Sequence, residues 1–416
     1  MANTETVIVV GGGVIGIACA HYLRQAGLDV TVVDQGKIAQ ACSRSNCGYI
    51  CPSHVQPLTE PGAFGLAIRS MFNSQSPFRV KPQLDIGLWH WMMQFARRCT
   101  HAQVLRAGKS LQTILDASME EYRRLLPSLS AETEWRENGL LYVLQTERGL
   151  EDFARHDDLT TKHFGVQSKC LSETELANFD NGFVSDLAGA FWYPGDGSVS
   201  PEGLNQAWLA STRTQGVAFI EDCQVHSILK DSGRVVGLET DQGELSADQF
   251  VFALGAWSKR WASSLGGSIP VQPGKGYSVT FARPKNAPKY PTLFPEHKVG
   301  VSPFEKTMRL GSMMEFAGYD TAIPPARIAQ LRDSARPYLK CDVDGEAIDT
   351  WYGWRPMTWD SLPIIGRAGA LSNVYLATGH NMLGLSLAPS TGRLISEMVV
   401  DADPHIAPDP YSPTRF

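Results

Sequence analysis

What this chain lacks narrows it first. No stretch of about 18 apolar residues runs unbroken, so nothing in it reads as a membrane span. No basic run exceeds a few residues and the formal net charge is -6, which argues against nucleic acid as a partner. The start, Met-Ala-Asn-Thr-Glu-Thr, has neither the basic head nor the long apolar core of a secretion signal. The eight cysteines (19, 42, 47, 51, 99, 170, 223 and 341) include no C-x-x-C pair, and an exported disulfide scaffold would be shorter and denser in them. A reduced, cytoplasmic setting is expected. Cys42, Cys47 and Cys51 stand close together with His54 just beyond, but their spacing matches no familiar ligand set, and no metal is expected. Internal repeats and low-complexity blocks are also missing.

What is present is a globular composition, 43% apolar and 19% charged. At 416 residues the chain exceeds one core of ordinary size, so two structural units are expected. The most informative stretch runs from Thr6 to Asp34. The β-branched run Val7 to Val10 reads as a strand buried on both faces, and it stops at glycines. Gly11, Gly13 and Gly16 keep the G-x-G-x-x-G spacing, which permits a tight turn, close approach to a pyrophosphate and close helix-to-strand packing. Val14 and Ile15 open the helix whose N–H groups and dipole face those phosphates. Asp34, with Gln35 beside it, closes the second strand where a carboxylate can accept hydrogen bonds from an adenosine ribose.

Beyond this unit, Gln40 to Pro52 reads as a polar loop over the bound nucleotide, with Ser43, Ser45, Asn46 and Gly48 suited to hydrogen bonding a polar ring edge. From Asp85 to Arg98 an aromatic-rich helix ends on Arg97-Arg98. Trp89, Met92, Met93 and Ala96 share one of its faces, which reads as a core stripe or as a bilayer-surface contact. An amphipathic helix over 104–125, a strand at Leu140–Leu144 and helices over Glu147–Phe164 and Pro201–Thr214 follow. Hairpinned strands near Val225 would bring that backbone to an adenine, and a second strand-to-glycine break places Gly255 near the same nucleotide. The segment Ile269 to Glu315 is β-rich and reads as the sheet of a second, substrate-covering unit, closed by a helix from Pro325. Arg355 lies in an aromatic-rich strand, where its charged fork matches a carboxylate in two parallel hydrogen bonds or ties to a core acid. Gly379-His380-x-x-x-Gly384, with Met382 and Leu383, ends a strand and opens a helix, so its dipole can face the electron-rich side of a flavin.

These features, with Ser-Asn-Cys-Gly (45–48), Trp-His-Trp-Met-Met (89–93), Lys-Gly-Tyr-Ser (275–278), Gly-Ser-Met-Met-Glu (311–315), Gly-Trp-Arg-Pro-Met-Thr (353–358) and Thr-Gly-His (378–380), resemble the FAD-dependent D-amino acid oxidase superfamily. Within it the chain is similar to the bacterial D-amino acid dehydrogenase small subunits, over nearly its whole length. The resemblance implies an α/β and α+β fold, with a discontinuous Rossmann-like FAD-binding domain (1–84, 165–265, 345–416) and a β-sheet substrate domain with helices (85–164, 266–344). It implies non-covalent FAD, Arg355 as the carboxylate-binding arginine, and Tyr277 on the sheet above the flavin, near the substrate. Tyr49 and His54 depart from the relatives and would help to shape the side-chain pocket. The implied reaction is oxidative deamination of a free D-amino acid to a 2-oxo acid and ammonia, with hydride passing from the α-carbon to flavin N5. A quinone or dye-type acceptor, with peripheral contact at the inner face of the cell membrane, would take the electrons. Oxidation of a secondary amine or imino acid such as proline, hydroxyproline or sarcosine, a non-catalytic FAD module and a nicotinamide dehydrogenase are the alternatives.

Overall fold

The computed structural model describes residues 4–71, 73 and 76–416. The opening strand Thr6–Val10 pairs in parallel with Asp29–Val33 on one side and with Gln249–Phe252 on the other. Val374–Thr378 and Ala218–Ile220 extend the sheet in parallel, and Ile364–Arg367 closes one edge antiparallel. Val7, Val9, Val32, Phe250 and Val251 are all sealed from solvent, which is why these strands read as unbroken apolar runs. On one face the helix Val14–Gln25 packs against Gly384–Val399 so closely that a Cβ on Gly392 would lie 2.5 Å from the Ala18 backbone. The long helix His101–Leu125 joins the same layer, and its Tyr122 hydroxyl donates to the Leu385 carbonyl at 2.6 Å.

Local chemistry explains where helices begin. Thr146 caps Glu147–Phe164 by accepting from Gly149 N–H, and Gly165 ends that helix in the left-handed region. Ser200 caps Pro201–Thr214, with proline at the first helical position.

Among the described residues a second, larger sheet holds nine strands. Its spine is a pair of 12-residue strands, Val271–Ala282 and Ala347–Thr358, paired antiparallel along most of their length. Thr307–Phe316, Val299–Pro303 and Thr292–Phe294 follow, then Leu140–Leu144, Gly189–Tyr193 and Lys169–Leu171. Four strands that the division at 84, 165 and 345 gave to the nucleotide unit belong here instead: Phe78–Val80, Lys169–Leu171, Gly189–Tyr193 and Ala347–Thr358. Partner choice depends on side-chain fit across the ladder, which a local apolar pattern does not carry.

The aromatic helix Ile86–Arg98 also differs from expectation. Its buried residues are Leu88, Trp91 and Met92, with Trp91 Nε1 donating to the Pro270 carbonyl at 2.9 Å. Trp89 and Met93 face outward, 41% and 54% exposed, so the expected core stripe is split. Among the described residues no helix is long and apolar enough to cross a membrane.

A salt-bridged seam joins the two sheets. Arg309, 3% exposed, donates to Glu202 Oε1 at 2.6 Å, to Thr280 Oγ1 at 2.8 Å and to the Asn46 carbonyl at 2.9 Å. It thus ties the large sheet, the helix at Pro201 and the loop after Gln40 together.

Candidate active site

A cavity of about 620 Å³ runs between the two sheets, from the first glycine turn to the Arg355 strand. At one end Gly11, Gly13, Val14 and Ile15 line it, at the mouth of the first helix. A Cβ on Gly16 would lie 1.8 Å from the Gly11 carbonyl oxygen, so only glycine lets helix and turn approach this closely. Asp34 and Gln35 border the same end. Asp34 accepts from Gly12 N–H at 2.7 Å and Gly36 N–H at 2.9 Å. Burial raises its pKa and those two donors oppose the rise. Val225 and Gly255 also line the cavity, as expected. A helix mouth at one end, a carboxylate at the second strand end and a cavity that continues to the large sheet suit a flavin dinucleotide.

The loop after Gln40 brings Ser43, Ser45, Asn46 and Gly48 to the cavity. Ser43 Oγ accepts from Val14 N–H at 3.0 Å, and Ser45 Oγ turns away to Glu202 Oε1 at 2.9 Å. The Asn46 amide lies 3.4 Å from the Cys42 carbonyl and 3.3 Å from that of Ser43, while its oxygen accepts from Gly48 N–H at 2.9 Å. Asn46 thus holds the loop's own backbone, while Ser43 ties the loop to the first helix and Ser45 ties it to Glu202. The loop therefore lines the cavity as a preformed wall.

At the C-terminal turn, Met382, Leu383 and Gly384 border the cavity where the helix Gly384–Val399 begins. Gly379 does not line it; with φ +71° it makes the turn, and a Cβ there would lie 2.6 Å from Thr358. His380 borders the cavity, but its Nε2 is 3.0 Å from Thr391 Oγ1, and burial lowers its pKa to about 3. That ring is a neutral pin for the turn. Asn381, which the motif reading passed over, holds the same turn: its Oδ1 accepts from Thr358 N–H at 2.9 Å and its Nδ2 donates to the Gly379 carbonyl at 3.0 Å. Its φ of +53°, a conformation Asn tolerates, was the available signal.

The substrate end is built on the long strand pair. Alternation along Val271–Ala282 puts Gly274, Gly276, Ser278 and Thr280 on one face; of these Ser278 lines the cavity, and its Oγ donates to the Ser45 carbonyl at 2.8 Å. Arg355 lies over Gly276, where a Cβ would sit 2.3 Å from its Nη1. One of its N–H groups donates to the Met313 carbonyl at 2.8 Å, and among the described residues it forms no ion pair. Burial disfavours its charge, with the Cys42 and Cys47 thiols in slight opposition.

Tyr277 borders the cavity as well. Its phenol donates to Glu315 Oε2 at 2.8 Å. Tyr49 and His54 also reach the cavity. The Tyr49 hydroxyl lies 2.9 Å from the Thr292 carbonyl and 3.1 Å from that of Val301, and burial raises its pKa. His54 Nδ1 is 3.3 Å from the Tyr142 hydroxyl, and burial lowers its pKa to about 4, so it is neutral near pH 7. Trp354, unflagged by its motif, also lines this end, and its buried indole N–H has no partner among the described residues.

The chain matches the FAD dependent oxidoreductase family over residues 6–398. It belongs to that family. FAD is the cofactor of this oxidoreductase, and the glycine turn, Asp34 and the C-terminal turn border the cavity. The oxidoreductase is 32% identical to the D-amino acid dehydrogenase of Vibrio cholerae over 403 residues, covering 95% of each chain. It is 31% identical to that of Bradyrhizobium diazoefficiens over 410 residues, covering 96% of each. Among solved structures it is similar to glycine oxidase from Bacillus cereus, with TM-score 0.75, 21% identity and 97% of each chain covered. The L-proline dehydrogenase from P. horikoshii is also similar, with TM-score 0.73, 20% identity and 100% and 98% of the two chains covered.

Two outcomes follow from this geometry. Gly16→Val drives a side chain into the Gly11 carbonyl, so the purified variant should lack flavin absorbance that the parent shows. Behind His54, Asp196 is fully buried and accepts from Ser53 N–H at 2.9 Å and Ser53 Oγ–H at 2.6 Å, and burial raises its pKa from 3.8 to about 7. Between those values the unfolded chain sheds a proton that the folded chain keeps, so this group's contribution to stability falls as pH rises. The thermal midpoint of Asp196→Asn minus that of the parent should therefore increase from about pH 4 to about pH 7 and then level off; a difference independent of pH would contradict the assignment.

Proposed function

We propose that this FAD-dependent oxidoreductase oxidises free D-amino acids to 2-oxo acids and ammonia and passes the electrons to a quinone or another acceptor that is not oxygen. The observation that carries the reading is Arg355, a guanidinium in the cavity wall with no carboxylate partner among the described residues. A substrate α-carboxylate supplies the missing charge in two parallel hydrogen bonds. The names of the Vibrio and Bradyrhizobium relatives support both the D configuration and a dehydrogenase. Bound FAD supplies the acceptor for a hydride leaving the α-carbon. The chain's own part is positioning: Arg355 fixes the carboxylate, and the neutral His54 ring and the tethered Tyr49 phenol bound the side chain. Once the substrate amine is neutral, no general base from the protein is required. FAD is held without a covalent bond in this reading, and acid precipitation should leave a yellow supernatant.

The outward face of the helix Ile86–Arg98 supports contact with a membrane surface. Ile86, Trp89 and Met93 lie on one face, with Leu84 just before them and Arg97 beyond, all exposed. An apolar stripe with a basic end suits an anionic lipid interface. The parent protein should sediment with anionic vesicles and the Trp89→Glu/Met93→Glu variant should not; a parent that stays in the supernatant refutes the contact.

Arg355→Ala should lower kcat/KM for D-amino acids by about 3–5 kcal/mol, the scale of a buried charge losing its partner, and Arg355→Lys by less. In an anaerobic panel of D-amino acids, L-amino acids, hydroxyprolines and sarcosine, the D-amino acids should bleach the flavin. Bleaching by sarcosine or hydroxyproline alone would replace this reading with secondary-amine oxidation, and peroxide formation in air matching dye reduction would refute the acceptor.

A further inference from the structure

The stretch Gly311-Ser-Met-Met-Glu315 plays no part in the reading above, yet it contains the most unusual backbone near the cavity. Thr307–Phe316 pairs with Val271–Ala282 so that Tyr277 opposes Ser312 and Lys275 opposes Glu315. Two steps on one strand thus face three on the other, which is a β-bulge. Ser312 (φ +117°) and Met313 (φ +57°) both lie in the left-handed region, and neither is glycine. The bulge turns the Met313 carbonyl out of the ladder and onto Arg355 Nη1 at 2.8 Å. Across the bulge, Gly276 leaves the space that the guanidinium fills.

Backbone of this kind persists only where its surroundings hold it. On the far face of the sheet Glu315 is 7% exposed. Its Oε2 accepts from the Tyr277 hydroxyl at 2.8 Å, and its Oε1 lies 3.2 Å from Arg79 Nη1 and 3.4 Å from Arg327 Nη2. Tyr277 is the register partner of Ser312, so this hydrogen bond joins the residue after the bulge to the residue opposite its start. Arg79 comes from the short strand Phe78–Val80, which pairs along Met314–Phe316, and Arg327 from the helix Pro325–Ala335 behind the sheet. The carboxylate is therefore fixed from three sides, and the bulge is spanned.

We propose that Glu315 and Tyr277 form a clamp that holds the Ser312–Met313 bulge and thereby aims the Arg355 fork at the substrate carboxylate. Glu315 lies outside the cavity lining and Tyr277 at its border; both act through Arg355 as positioning residues, and the inference rests on the carboxylate reading of Arg355. Tyr277→Phe removes only the clamp hydroxyl, whereas Glu315→Gln removes the charge that Arg79 and Arg327 share.

The test uses the FAD-loaded enzyme, with the Kd of acetate read from flavin absorbance and KM and kcat measured for D-alanine. Tyr277→Phe should raise the acetate Kd and the KM about tenfold, on the scale of one lost charge-assisted hydrogen bond, with a smaller fall in kcat. Glu315→Gln should act in the same direction; if it fails to fold, Tyr277→Phe carries the test alone. In an Arg355→Ala background Tyr277→Phe should have no further effect on acetate, because the two act as one unit. If Arg355→Ala weakens acetate but Tyr277→Phe does not, the clamp is wrong and the carboxylate reading stands. If Tyr277→Phe weakens acetate equally in both backgrounds, the effect is general loosening and the clamp is again wrong. If Arg355→Ala leaves acetate binding intact, the carboxylate reading falls and takes the clamp with it.

Discussion

A half-buried guanidinium without an anion of its own among the described residues is the constraint on which the substrate half of this molecule depends. Such a charge is costly to bury, and a fold retains it only where its position is enforced by packing and by partial satisfaction of its donors. Here a long antiparallel strand pair carries Arg355, a missing side chain at Gly276 makes room for it, and a carbonyl displaced from its ladder takes one N–H. A nearby carboxylate would have satisfied Arg355 and closed the site to any other. The acids close to this region are engaged elsewhere: Glu315 with Tyr277, Arg79 and Arg327, and Glu202 with Arg309.

The nucleotide half was legible in the sequence because its chemistry is local. Strand, turn, helix, strand and terminal acid follow one another within the stretch Thr6 to Asp34, and each step has its own residue signal. The helices at Glu147 and Pro201 were legible for the same reason, since caps and first-turn residues lie within a few positions of the ends they set.

What was not legible depends on parity and partner. Tyr277 and Ser278 are adjacent and both border the cavity; what each side chain bonds, Glu315 for Tyr277 and the Ser45 carbonyl for Ser278, is decided by strands and loops far away in sequence. Ser45 and Asn46 have the right chemistry for a ligand, but the Glu202 carboxylate engages the first and the loop backbone the second. The stripe on Ile86–Arg98 was drawn one position off because Trp89 and Trp91 are equally apolar, and only the neighbouring Pro270 carbonyl selects Trp91 for the interior. The bulge at Ser312–Met313 leaves no mark in composition, since left-handed backbone without glycine or asparagine has no residue signature.

The order of strands in the parallel sheet also governs when this protein can become whole during synthesis. Thr6–Val10 emerges first, yet one of its flanks waits for Gln249–Phe252 and the next strand out for Val374–Thr378. The helix that packs on Ala18 is later still. Until Val374–Thr378 and Gly384–Val399 are in place, the glycine turn stands on an unfinished sheet with an open apolar edge, the kind of surface that invites aggregation and chaperones. The cavity wall is whole only once the turn Met382–Gly384 has joined the glycine turn, so bound FAD stabilises the completed sheet over any earlier form.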